Sequence, residues 1–215
     1  CNILASELTG KGGLENMSSL FGLTLSALLV EYNDKEAVNE YIDEAFRLND
    51  IELLRSVASF LAFRPTYMEE EELISLSRRL LKLNNENVNW VLAESLSRMP
   101  NERKRVALEL IDEMPLSDNN KVISPILGLF DQRFGTLKLS DLNSSKLDYI
   151  MKALVSLKDI DYHVEPFLDE LAQIAPEKVI DLLLKRIDHC ISIESGDMSH
   201  SYSPIPYEVR STSLS

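Results

Sequence analysis

The sequence predicts an all-α chain built from short helix–turn–helix pairs, and three observations carry that expectation. Only 7 Gly and 8 Pro occur in 215 residues, too few for the tight turns that an all-β chain of this length needs. Apolar residues recur at helical spacing between recognisable start and stop signals. Alternate helices recur at a nearly constant interval, the mark of a helical-repeat chain. Composition agrees: 45% hydrophobic and 27% charged residues are ordinary for a globular protein and exclude collagen, a wholly disordered chain and a membrane bundle.

Residues 1–13 (CNILASELTGKGG) end in Gly12-Gly13 without a sustained pattern and read as an irregular lead-in. A helix is expected from about Glu15 to Val30. Its apolar run Leu20 to Val30 is interrupted by Gly22, Thr24 and Ser26 and falls short of the ~20 apolar residues of a membrane span. Asn33-Asp34 then caps a helix whose Ala37, Val38, Tyr41, Ile42, Ala45 and Phe46 share one stripe. Asp50 caps the next, with Leu53, Leu54, Val57, Phe60 and Leu61 before Pro65.

Thr66 and Glu69 have capping-box spacing, and Leu73, Leu76, Leu80 and Leu83 follow. Asn85 opens a helix with Val88, Val91, Leu92 and Leu96 that Pro100 ends, and Asn101 opens one with Val106, Leu110, Ile111 and Met114 that Pro115 ends. Starts near residues 35, 51, 67, 86, 102 and 119 place alternate helices about 32–35 residues apart. A polar loop near 135–145 interrupts the rhythm. Helices near 145–157 and 163–174 resume it, and Pro176 opens a last helix carrying Val179, Ile180, Leu183, Leu184, Ile187 and Ile191. Residues 14–194 thus read as one helical-repeat domain, and 195–215, with its serines, Pro204 and Pro206, as an irregular tail.

Laid over one another, the pairs repeat a turn: Leu48-Asn49-Asp50, Leu83-Asn84-Asn85 and Leu157-Lys158-Asp159, followed by Leu54 with Arg55, by Val88 and by Val164. This resembles HEAT repeats, in which a turn Asp is followed by Val-Arg in the second helix. The resemblance spans most of residues 35–192. Only the first turn keeps the basic residue, and armadillo-type pairing is similar; the small and aromatic signature of tetratricopeptide repeats is not found. The resemblance implies a right-handed α-solenoid of about nine to ten helices that acts as a binding scaffold, each pair burying its apolar face only against its neighbours.

The charge balance, 22 basic against 35 acidic residues and a net −13, disfavours nucleic acid, since phosphate binding needs Lys and Arg to displace counterions. Cys1 and Cys190 form no disulfide framework. Asp188, His189, Cys190, Asp197 and His200 match no structural zinc spacing, so no metal is expected. No phosphate loop, dinucleotide turn or nucleophile elbow is present. No cofactor and no catalytic activity are therefore expected.

Aromatic and Arg side chains anchor interfaces, which singles out Arg55 and Trp90, both on the second helix of a pair. Trp90 lies off the Val88–Val91 direction and is expected to be partly exposed; packing between repeats is the plainer alternative. Arg78, Arg79 and Lys82 form a basic cluster, either pairing with acidic helices beside them or docking an acidic partner. Arg103, Lys104 and Arg105 form a second. Glu69 to Glu72 read as a solvated helix start favoured by the macrodipole.

The expected function is a protein-interaction scaffold or adaptor, a module of a longer cytoplasmic chain, with a protein partner. One alternative is the regulatory region of a multidomain bacterial enzyme, such as a nucleotide hydrolase, with catalysis encoded elsewhere. Another follows from Cys1-Asn2, which resembles the start of a lipid-anchored bacterial envelope protein.

Overall fold

The computed structural model describes residues 34–63, 68–117, 120–131, 137–158 and 164–194, together with Thr24, Leu25, Leu28, Ile160 and Ile205. The expected lead-in at 1–13, most of the helix from Glu15 to Val30, and the tail beyond 194 apart from Ile205 lie outside the described residues. Among the described residues all regular structure is helical. The α-helices are α1 (Lys35–Leu48), α2 (Ile51–Phe63), α3 (Glu70–Leu81), α4 (Glu86–Ser97), α5 (Arg105–Leu110), α6 (Asn120–Leu127), α7 (Ser144–Ser156), α8 (Val164–Ile174) and α9 (Pro176–Glu194). Contacts cluster into two compact units, Cys1–Val106 and Ala107–Ser215.

In the first unit the expected caps set the helix ends. Asp34 Oδ1 accepts from the Ala37 N–H at 2.9 Å. Asp50 Oδ1 accepts from the N–H groups of Glu52 and Leu53 at 2.9 and 3.1 Å. Asn85 Oδ1 accepts from those of Asn87 and Val88 at 3.1 and 3.2 Å. Each meets backbone donors that the first helical turn leaves orphaned. The start of α3 differs from the expectation. Its N-cap is Glu69, whose N–H donates to Glu72 Oε2 at 2.9 Å, and Thr66 lies outside the described residues. A carboxylate three residues on does the work assigned to Thr66 with Glu69.

Helix α2 packs most extensively on α4; α1 packs on α2, and α3 on both α2 and α4. The sequence of α2, IELLRSVASFLAF, is apolar on most sides, and Leu54, Val57, Ala58, Phe60 and Leu61 are all buried, as a central helix requires. Leu73 and Leu80 of α3 and Leu92 and Leu96 of α4 complete this core without exposure, each large side chain contributing about 1.5–3 kcal/mol.

The expected continuous helix from Asn101 is instead broken. A 3-10 turn at Asn101–Arg103 precedes α5, and a second follows at Ile111–Glu113. Helix α6 holds Pro125 within it, which removes a backbone donor, and the chain tightens into a 3-10 turn at Gly128–Phe130. Within the loop expected near 135–145, a 3-10 turn spans Leu139–Asp141, and Leu139 is buried.

In the second unit α9 packs on both α7 and α8, and α8 also packs on α6 and on the Gly128–Phe130 turn. Phe130 and Phe167 meet edge to face, with ring centroids 5.8 Å apart and planes at 72°. Asn143 caps α7, its Oδ1 accepting from the Lys146 N–H at 2.8 Å. The other end of α7 is closed by Arg186 of α9, which has no exposed surface. Its Nη1 donates to the carbonyl oxygens of Leu154 and, at 2.7 Å, of Leu157. These are C-terminal carbonyls that the helix itself cannot satisfy.

The apolar residues expected along α9 do not form its buried face. Leu182 and Arg186 are buried there, whereas Ile180, Leu184 and Ile191 are exposed. Two apolar stripes compete on this helix, and the one that reaches α7 includes an arginine.

Candidate protein-interaction surfaces

Among the residues singled out from the sequence, Arg55 and Trp90 sit on α2 and α4, the two helices of the first unit that pack most closely. Both are half-buried. Arg55 Nη1 donates to both carboxylate oxygens of Glu52, at 2.9 and 3.0 Å. Its Nε is shielded from solvent without a hydrogen-bond partner, an unmet donor beside a neutralised pair.

Arg78, Arg79 and Lys82 gather at the C-terminal end of α3, exposed, where positive charge is favoured by the helix dipole. Arg79 turns to α1. Its Nη2 donates to Asp43 Oδ1 at 2.7 Å, and its guanidinium carbon lies 4.2 Å from the centroid of the Phe46 ring. The charge-pairing account of this cluster therefore holds for Arg79. On α1 itself the exposed Glu44 is held below the usual carboxylate range by hydrogen bonds from Arg47, which is in turn raised. Lys104, expected in a surface cluster, is buried at 6% exposure, and desolvation lowers its pKa.

The second unit holds a cleft of about 490 Å³ between α7 and α9, lined by the apolar Met151, Val155 and Leu182, by Lys152, Lys178 and Lys185, and by Asp148 and Asp181. Two of the lysines are already engaged: Lys178 with Asp148 at 2.9 Å and Lys185 with Asp181 at 2.6 Å. Sequence reasoning did not find this cleft, because it depends on which face of α9 meets α7.

Around His189 and Cys190, both half-buried, no cluster of three or more His, Cys, Asp or Glu side chains that suits a metal ion forms among the described residues. Asp197 and His200 lie outside them. No described helix is long and apolar enough to cross a membrane.

No protein-family model, curated protein or solved structure matches this chain.

Proposed function

We propose that this chain is a protein-interaction scaffold whose stacked helix pairs form a right-handed, HEAT-like α-solenoid, with Arg55 and Trp90 on its binding face. The observation that carries this reading is a repeated turn. Asn49 and Asn84 occupy equivalent places between α1 and α2 and between α3 and α4, and both are left-handed, with φ of 51° and 47°. In each case the next residue, Asp50 or Asn85, caps the following helix through two backbone N–H groups. The same local device used twice, at the interval read from the sequence, supports a duplicated helix pair.

The packing supports the same reading. The second helices, α2 and α4, lie against each other, and the first, α1 and α3, are tied by Arg79 to Asp43 and Phe46. Stacking of like on like is the rule in arrays whose units are stabilised by their neighbours. Lys158, the counterpart of Asn49 and Asn84 in the third turn, is not among the described residues with positive φ, so the repetition is closest in the first unit.

The test is differential capture with the wild-type chain and an R55A/W90A double variant whose circular dichroism is unchanged. The reading expects proteins held by the wild type, crosslinked to α2 or α4, and lost by the variant. Identical recovery by both overturns the assignment of this face.

A further inference from the structure

The outer face of α9 carries an aliphatic stripe. Ile180, Leu184 and Ile191 are 59%, 56% and 60% exposed, with the half-buried Ile187 between them. Their spacing of i, i+4, i+7 and i+11 places all four on one line along the helix. Exposed Ile174 lies just ahead of it, at the end of α8. Single exposed aliphatic residues are normal on any surface, but a continuous row of them marks an interaction site.

One border of the stripe is acidic. At about 100° per residue, Glu177, Asp188 and Asp181 fall roughly 50–90° to one side of its centre, and all three are exposed. Lys185, beyond them, pairs with Asp181. Three carboxylates less one ammonium leave this border with two net negative charges. The opposite border is formed by the half-buried Leu183 and Cys190.

We propose that this face of α9 docks an amphipathic helix from another protein, with an aliphatic stripe bordered on one side by Lys or Arg. The apolar row sets the form of the partner, since helical partners are read by anchors at i, i+3, i+4 and i+7. The acidic border sets its charge: complementary rims steer encounter and suppress wrong partners. A second copy of this chain is the poorer occupant. Two such faces packed antiparallel about a two-fold axis bring both acidic borders to the same side, in a molecule already at −13. An anionic membrane is poorer too, because interfacial helices carry Lys and Arg beside their apolar face.

The probes are two synthetic amphipathic helical peptides with the same leucine stripe, one bordered by Lys and one by Glu, titrated by fluorescence anisotropy against the 215-residue chain. In ~100 mM salt the Lys peptide is expected to bind about tenfold tighter than the Glu peptide, the sum of a few exposed charge pairs. Raising the salt to ~500 mM is expected to shrink that preference. Leu184→Ser with Ile191→Ser, both at exposed positions, is expected to weaken binding about tenfold. Glu177→Lys with Asp188→Lys is expected to reverse the peptide preference.

Equal binding of the two peptides overturns the proposal, as does binding that survives the Leu184→Ser/Ile191→Ser change. A chain that dimerises alone, and loses the dimer on that same change, assigns the face to a second copy and overturns it too. The R55A/W90A variant is expected to keep peptide binding. A failure on α9 therefore leaves the reading of α2 and α4 standing, and the reverse.

Discussion

Two arginines show how environment, not residue type, sets what a side chain contributes. Arg186 is fully buried and closes the end of α7 through the carbonyls of Leu154 and Leu157. Arg79 makes a bridge to Asp43 in which both side chains are well exposed. Arg186→Met is expected to lower stability in urea unfolding by about 2–4 kcal/mol, because buried acceptors lose their donor. Arg79→Ala is expected to cost less than ~1 kcal/mol, in line with exposed ion pairs. Equal losses in the two variants would refute this ranking. Lys104 adds a pH dependence. Desolvation lowers its folded pKa from 10.5, so between the folded and unfolded values the unfolded chain binds more protons, and stability rises with pH there. That rise is expected to be smaller in Lys104→Met, measured by urea unfolding at a series of alkaline pH values. The burial of Arg186 was not legible in LLLKRID, where it stands beside the exposed Lys185; only the position of α7 separates them.

The helices themselves were legible because their ends are chemical. Asp34, Asp50 and Asn85 cap the helices that the sequence assigned to them, and Pro176 opens α9. Where a start rested on side-chain spacing alone, at Thr66, the helix begins from Glu69 instead. Pro125 within α6 was not foreseen, since proline ordinarily stops a helix and its tolerance depends on packing. The left-handed residues carry a prediction at this scale. Asn49→Ala and Asn84→Ala are each expected to cost about 1 kcal/mol, because a Cβ without a local hydrogen-bonding group is strained at positive φ. Asn→Gly at either position is expected to be neutral or stabilising, and Lys158→Ala is expected to change little. Thermal unfolding of the five variants checks this, and a cost at Lys158 matching that at Asn49 would mean the turns do not differ as described.

At the scale of the whole molecule, helical periodicity says that a face is buried but not which neighbour buries it. On α9 the longer aliphatic stripe stayed exposed while Leu182 and Arg186 went inward, and the α7–α9 cleft followed from that choice. Function was the least legible, since the candidate anchors Arg55 and Trp90 were chosen on residue type and not on a pattern that names a chemistry. What the solenoid reading adds at this scale comes from neighbours, since repeat units are stabilised by the units they touch. Both left-handed turns lie in the first unit, where α2 packs on α4, so the duplicated device argues for a repeat of helix pairs within that unit.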